Sequence, residues 1–210
     1  MREILFAGLF VLGVAGVAPA AAQGLKPASP EEAQRLLAVA ADDRVLGKPD
    51  APITIVEYAS LTCPHCAHFA ADVLPALTRK WIEPGKAKLV LRDFPLDEPA
   101  LRAAMVARCA PPDRFYPLIE TLFASQDKWA VAKDWRGALE KIAVLAGIGK
   151  AQAEACLNDK AVEDRVTQSR LTAATRLDVN STPTFFINGK KFEGAPTAAA
   201  FDQALAEAGK

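Results

Sequence analysis

The hydrophobic residues of this chain fall into a few short β-branched runs, separated by longer segments whose apolar residues have helical spacing. Three runs predict strands: 53–58 (ITIVEY), 88–94 (KLVLRDF) and 184–187 (TFFI). Asn188-Gly189 follows the third run and is a strong hairpin signal, which makes 191–193 the predicted return strand.

Helices are predicted before, between and after these strands. They cover about 29–41, about 63–81 and 197–208. Pro75 lies inside the second helix and should kink it, because proline has no N–H and clashes with the preceding turn.

Between 96 and 176, alanine and leucine dominate, and turn residues separate several predicted helices. Pro111-Pro112 breaks the first pair, and Asp134 can cap the segment that reaches Leu145. This helical block interrupts the order of an α/β protein with helices on both faces of a mixed sheet. We therefore expect an α/β fold with an inserted all-helical subdomain: 23–41 as a linker and short helix, 42–95 and 177–210 as the core, and 96–176 as the insertion.

The first residues are typical of an export signal. Residues 4–17 form an uncharged apolar run of fourteen, shorter than the about 20 residues that a membrane-spanning helix needs. Ala20 and Ala22 satisfy the small-x-small pattern of a cleavage site, so 1–22 is predicted to be a signal peptide. The alternative is an uncleaved anchor. Export would place the cysteines where disulfides persist.

Charge and composition exclude several classes of protein. The 25 Lys and Arg residues balance 25 Asp and Glu residues, which leaves no large basic surface for nucleic acid. A hydrophobic content of 51% and a charged content of 24% are typical of a globular protein rather than a disordered chain. The 4 cysteines are too few for a disulfide-framework miniprotein, and the 2 histidines exclude a His-rich metal site.

The candidate chemistry is concentrated in Cys63-Pro64-His65-Cys66, which closes a strand and opens a helix. A cysteine at a helix N-terminus faces unpaired N–H groups and the positive end of the helix dipole, and both favour the nucleophilic thiolate. Pro64 occupies the position where a missing N–H costs least, and His65 adds a donor and a potential positive charge beside Cys63. Cys66 is near enough to resolve a mixed disulfide. Because a stabilised thiolate stabilises the reduced protein, the disulfide form is predicted to be an oxidising donor.

Two other interpretations of this motif are a structural disulfide and a metal half-site that also uses His68. At 3.6 residues per turn, the Cys63/Cys66 pair and the His65/His68 pair lie on opposite sides of one helix. One helix therefore cannot bring both pairs to a single ion, and neither a metal nor another cofactor is expected.

Three segments together resemble the DsbA family of periplasmic thiol–disulfide oxidoreductases, in the thioredoxin superfamily: 57–62 (EYASLT), 63–66 (CPHC) and 181–189 (STPTFFING). The resemblance covers the chain from about Asp42 to its end and implies a thioredoxin fold with an inserted helical domain. It also implies a periplasmic enzyme that oxidises newly exported proteins and is itself reoxidised by a membrane quinone-linked partner. A second cysteine pair in the helical insertion is similar to that of some alphaproteobacterial members.

The resemblance implies roles for three further residues. Thr182-Pro183 matches the family's cis-proline position, where the loop would pack opposite the dithiol, bind an extended substrate through its backbone and let Thr182 tune the cysteines. The alternative is an ordinary trans proline that opens the strand. Glu57 matches the family's buried acidic position beneath the dithiol, from which it could pass protons to Cys66. The alternative is a strand-end glutamate that reaches solvent.

Cys109 and Cys156 both lie in the helical block, 47 positions apart and without C-x-x-C spacing. Two remaining cysteines in one subdomain of an exported protein usually pair, so a structural disulfide is predicted. Two buried free thiols are the alternative.

Three functions compete. The leading hypothesis is a disulfide donor for the free cysteines of unfolded exported proteins, with its own disulfide regenerated by a DsbB-like membrane partner. The second is an isomerase or reductase that a membrane reductase keeps reduced. Dimerisation would favour it, but the segment before the core is short for a dimer domain, so a monomer is expected. The third is a chaperone that binds clients in the groove near Pro183 without thiol chemistry.

Overall fold

A computed structural model describes residues 26–210, which form a five-stranded mixed sheet with helices on both faces. The strands are β1 (Val45–Leu46), β2 (Ile53–Ala59), β3 (Ala87–Asp93), β4 (Thr184–Ile187) and β5 (Lys190–Lys191). They lie in the order β1-β3-β2-β4-β5, with β2 and β3 parallel and the other neighbours antiparallel. The predicted signal peptide, 1–22, lies outside the described residues. Among those that are described, no helix is both long and apolar enough to cross a bilayer.

Helices make up most of the rest of the described chain. They are α1 (Pro30–Leu37), α2 (Pro64–His68), α3 (Leu74–Leu77), α4 (Glu98–Arg108), α5 (Pro112–Ala124), α6 (Gln126–Trp129), α7 (Trp135–Leu145), α8 (Lys150–Leu157), α9 (Lys160–Arg176) and α10 (Ala198–Ala208). The six helices α4 to α9 lie between β3 and β4, in the stretch predicted as the insertion. The break at Pro111-Pro112 and the end of α7 at Leu145 are as predicted, and Asp134 caps α7 by accepting the N–H of Gly137 at 3.0 Å.

The helix that follows β2 is irregular. The π-helical turn Phe69–Val73 joins α2 to α3, and a second π-helical turn, Thr78–Ile82, extends α3. Together they form one helical segment, 64–82, called the dithiol helix below. Pro75 cannot donate a hydrogen bond, and the turn before it is wide, since the N–H of Leu74 donates five residues back to the carbonyl of Phe69. The irregularity predicted at Pro75 therefore takes the form of a π-helical turn.

The first helix is shorter than predicted. It ends at Leu37 rather than near residue 41. The Arg92 guanidinium explains the early end, because it donates to the carbonyl of Leu36 at 2.6 Å and to that of Ala38 at 2.7 Å. These bonds satisfy carbonyls that a further helical turn would otherwise have used.

The predicted hairpin is present, with a shorter return strand. Asn188 and Gly189 have φ values of 47° and 79°, as a two-residue type I′ turn requires. The return strand is Lys190–Lys191 rather than 191–193. Phe192 leaves the strand and stacks on Phe201 of α10, with ring centroids 4.5 Å apart.

Three clusters of buried hydrophobic side chains join these layers. One packs the dithiol helix and α10 against the sheet, around Phe69, Phe185 and Phe201. A second lies on the opposite face of the sheet, beneath α1 and α9. The third is formed mainly by the inserted helices and includes Cys63 and Cys66. The insertion therefore packs directly against the dithiol.

The structure contains the predicted disulfide between Cys109, at the end of α4, and Cys156 in α8. The Cα atoms are 6.2 Å apart, and the bridge closes a loop over 47 positions. The alternative of two buried free thiols does not hold in this structure.

Replacing both Cys109 and Cys156 by serine is expected to destabilise the protein. Loss of loop closure should lower the free energy of unfolding by about 2 to 3 kcal/mol, below the upper figure of about 4 kcal/mol from chain entropy. Guanidinium-induced unfolding of the oxidised proteins measures the difference. Cys109→Ser alone should match the double variant because it removes the same bridge. An unchanged midpoint would show that the bridge does not form in solution.

Candidate active site

Cys63 lies where the chain leaves the sheet and enters the dithiol helix. It is the N-cap of α2, with an extended backbone (φ −81°, ψ 120°), and Pro64 occupies the first helical turn. Its surface is 5% exposed, and its Sγ donates a hydrogen bond to the carbonyl of Thr182 at 3.3 Å. The predicted placement of this sulfur at a helix opening is confirmed.

The surroundings of Cys63 favour its thiolate and lower the pKa of the thiol from 9.0 to about 5. The largest cause is the hydrogen bond from the Cys66 thiol, followed among the lowering effects by the Thr182 side chain and the backbone N–H groups of Cys66 and His65, while burial opposes them. Sequence reasoning attributed the effect mainly to the helix opening, with added contributions from His65 and Thr182. The neighbouring thiol is the stronger donor here, and the helix N–H groups add to it.

Cys66 has the opposite character. It is fully buried, and both cysteines are free thiols in this structure. Its pKa is raised, first because its proton is held in the hydrogen bond to Cys63, then by burial and by the negative charges of Glu57 and Cys63. The pair therefore combines an anionic outer sulfur with an inner sulfur that keeps its proton.

Glu57 is buried in the middle of the sheet. It lies on β2, paired with Leu91 of β3 and Phe185 of β4, and is only 2% exposed. Among the described residues its Oε1 has no hydrogen-bond partner. Burial, and to a lesser extent the charge on Cys63, raise the pKa of Glu57 to about 8. The alternative in which this glutamate reaches solvent is wrong.

The two histidines and Pro64 lie on the exposed side of the dithiol helix. His65 acts on Cys63 through its backbone N–H, and its side chain forms no hydrogen bond with any described residue. His68 forms a 2.5 Å contact with Asp72, at a side-chain exposure of 68%. Within residues 26–210, no group of three or more His, Cys, Asp or Glu side chains is arranged to hold a metal ion.

The loop before β4 lies against the dithiol. The Thr182-Pro183 peptide bond is cis, so the alternative of an ordinary trans proline is wrong. The Thr182 carbonyl accepts from the protonated Cys63 thiol, and in that state the Thr182 Oγ1 is buried without a hydrogen-bond partner among the described residues. When the thiol ionises, this hydroxyl can donate to the sulfur, which is how the Thr182 side chain lowers the pKa of Cys63. Thr182 thus places a hydrogen-bonded carbonyl oxygen and a hydroxyl without a hydrogen-bond partner next to the reactive sulfur.

Gln126 is a site residue that sequence reasoning missed. It begins α6, and its Nε2 donates to the carbonyl of Leu61 at 2.8 Å and to that of Cys63 at 3.1 Å. The inserted subdomain thereby fixes the backbone of the loop that carries the dithiol. No local signal in the sequence distinguishes it, since Gln126 lies among the polar residues Ser125, Asp127 and Lys128.

Replacing Gln126 by alanine is expected to leave two carbonyls of the dithiol loop without a donor. The free energy of unfolding should fall by about 1 to 2 kcal/mol, and the midpoint of Cys63 thiolate formation should move upward as the loop loosens. Chemical denaturation and absorbance at 240 nm measure the two effects. Gln152→Ala is the matched control, since that glutamine makes one exposed bond of 3.4 Å to the carbonyl of Cys109. Equal effects of the two substitutions would contradict the positioning role of Gln126.

Comparison with known proteins agrees with this geometry. The family model described as Thioredoxin matches residues 40–207. A Rickettsia typhi protein named as a protein-disulfide oxidoreductase is 36% identical over 154 residues, which cover 72% of this chain and 57% of that protein. A Rickettsia bellii protein of the same name is 34% identical over 175 residues, covering 79% of this chain and 66% of that protein. The chain thus spans between half and two thirds of the length of these curated relatives. The crystal structure of Wolbachia pipientis alpha-DsbA1 is 31% identical, with a TM-score of 0.78 over 84% of this chain and 96% of that one.

Proposed function

The chain belongs to the DsbA family of the thioredoxin superfamily, and on that premise we propose that it donates its Cys63–Cys66 disulfide to cysteines of newly exported proteins. The observation that carries the proposal is that the pKa values of the two thiols are shifted in opposite directions. The pKa of Cys63 is lowered to about 5, while that of Cys66 is raised. A stabilised Cys63 thiolate favours the reduced protein, which makes the disulfide form an oxidant.

In the proposed reaction a substrate thiolate attacks Sγ of Cys63 in the oxidised protein. A bond forms between the two sulfurs, the Cys63–Cys66 bond breaks, and Cys66 leaves as a thiolate. Glu57, buried and with its pKa raised to about 8, holds a proton at neutral pH that it can pass to Cys66. A second substrate thiolate then attacks the substrate sulfur of the mixed disulfide and releases Cys63 as its stable thiolate. The substrate has lost two electrons and the protein disulfide has gained them.

Substrate binding and partners follow from the same proposal. An extended substrate strand would pair with the exposed backbone beside Thr182-Pro183. The reduced dithiol must give its two electrons to an oxidant, for which we propose a DsbB-like, quinone-linked membrane protein. The periplasm is the proposed location and a monomer the proposed state. The even balance of 25 basic and 25 acidic residues supports protein clients rather than nucleic acid.

The test is the equilibrium between this dithiol and glutathione at pH 7. The expected reduction potential is nearer the roughly −120 mV of strong dithiol oxidants than the roughly −270 mV of thioredoxin. The thiolate of the reduced protein should form with a midpoint at about pH 5 in an absorbance titration. A potential near that of thioredoxin would reject the oxidase and favour the isomerase or reductase. A thiol with an ordinary midpoint would reject the mechanism.

A further inference from the structure

A cavity of about 420 Å³ lies between the dithiol helix and α5, over the face of the sheet that carries Glu57. Its walls are mostly apolar, and its main hydrophobic side chains are Leu46, Leu74, Leu89, Leu91, Ile119 and Phe123. The break in regular helix before Pro75 lies on one side of it. A space of this size, with such walls, is in the range of small-molecule sites rather than of single buried waters.

Charged groups of both signs lie among the exposed lining residues. Arg79, Glu83 and Glu120 line the cavity and are all exposed. None of the ion pairs formed by the described residues involves these three side chains. Two carboxylates against one guanidinium give this rim a net negative charge.

Glu57 also lines this cavity. This side chain is 98% buried by its surface, since only 2% is exposed, and its Oε1 lacks a hydrogen-bond partner among the described residues. No basic side chain other than Arg79 lines the cavity, so an anionic group would find no cation in its interior. The interior favours an uncharged apolar body.

We propose that this cavity binds a small cationic amphiphile. Its apolar body would lie against Leu74, Ile119 and Phe123, and its ammonium group would remain hydrated at the rim near Glu83 and Glu120. A head group that stays in water avoids the cost of desolvation and still gains from the net negative rim. The binding itself requires no thiol chemistry and does not depend on the proposed oxidase activity.

The site adjoins the dithiol through Glu57, and this part of the inference rests on the proposed function. An apolar body next to Glu57 would exclude water and keep its carboxyl protonated. The titratable groups coupled to Glu57 are Cys63, Cys66 and Tyr116. A charged Glu57 repels the thiolates of the reduced protein. A ligand that keeps Glu57 uncharged should therefore favour the reduced dithiol, and should shift the equilibrium constant with glutathione toward it about twofold at about pH 8.5.

The experiment titrates the oxidised protein with three matched probes, 4-phenylbutylamine, 4-phenylbutanol and 4-phenylbutyrate, and follows amide NMR shifts at low salt. The amine should give saturable shifts centred on Leu74 and Ile119, and should bind about fivefold more tightly than the acid, with the alcohol between them. The Glu83→Gln, Glu120→Gln double variant should lose the preference for the amine. Glu154→Gln, at an exposed position on α8, should keep it.

Several results would overturn the inference. Absence of saturable shifts at millimolar amine, shifts centred away from the cavity, or equal affinity for the amine, the alcohol and the acid would each reject the site. Added salt should weaken amine binding in the wild-type protein, which tests the charge argument even where a variant fails to fold. Binding that leaves the glutathione equilibrium unchanged at about pH 8.5 would reject the coupling to Glu57. Because binding is measured on the oxidised protein, its result tests the proposed binding site independently of the oxidase proposal.

Discussion

Replacing Cys63 by serine is expected to abolish disulfide transfer, with a loss of at least about a thousandfold in the rate of substrate oxidation. The variant cannot form the Cys63–Cys66 disulfide that accepts electrons. The remaining thiol of Cys66 is fully buried, and burial still raises its pKa after the hydrogen bond to Cys63 is lost, so it cannot substitute as a nucleophile. The measurement is the rate at which a reduced peptide with two cysteines becomes oxidised by stoichiometric protein.

Cys66→Ser is the informative partner of this variant. It retains the outer thiol but lacks the thiol that resolves a mixed disulfide. In oxidised glutathione the Cys63 thiolate attacks the glutathione disulfide and releases one glutathione thiolate, so the mixed disulfide between Cys63 and glutathione should accumulate and be visible by mass spectrometry. If the Cys63→Ser variant still oxidises substrate, the enzyme hypothesis is rejected. The chaperone hypothesis instead predicts that Cys63→Ser protects an aggregating client as well as the wild-type protein does.

The position of the dithiol could be predicted because its determinants are local. A β-branched run, a proline at the first helical turn and the C-x-x-C spacing place Cys63 at a helix opening without reference to the rest of the chain. The partners that complete the site are distant. Gln126 bonds to carbonyls 63 and 65 positions away, and Thr182 is 119 positions from Cys63. Pattern alone cannot supply such contacts, and only the family resemblance brought Thr182-Pro183 to the dithiol.

The edges of the fold show the same division between local and distant causes. The three longer strands have enough β-branched residues to be predicted, whereas β1 has only two residues and exists through its pairing with Leu89 and Val90 of β3. The early end of α1 depends on Arg92, a residue of another strand. Helix and strand type could therefore be predicted from the sequence, while these boundaries depend on tertiary hydrogen bonds.

The buried carboxyl of Glu57 should make the stability of the protein depend strongly on pH. Its ordinary pKa of 4.5 is raised to about 8 in the folded protein, mainly by burial. Below about pH 4.5 the group is protonated in both the folded and the unfolded state, so it imposes no penalty. Between about pH 4.5 and 8 the unfolded chain ionises while the folded protein must hold the proton, so stability falls by about 1.4 kcal/mol per pH unit. Above about pH 8 both states are ionised and the penalty stays constant.

Glu57→Gln is therefore expected to gain about 3 kcal/mol of stability over the reduced wild-type protein between pH 4.5 and pH 7. Cys63 affects the free energy of unfolding in the opposite direction, because its lowered pKa gives stability that is lost as pH falls through about 5. The wild-type protein and Glu57→Gln both have this contribution. The difference in free energy of unfolding at several pH values isolates Glu57. It also cancels any constant change in hydrogen bonding caused by the amide. Glu154→Gln should follow the wild-type slope. If the free energy of unfolding of Glu57→Gln changes with pH just as that of the wild-type protein does, Glu57 is ionised in the folded protein over this interval. It could not then pass a proton to Cys66 as proposed.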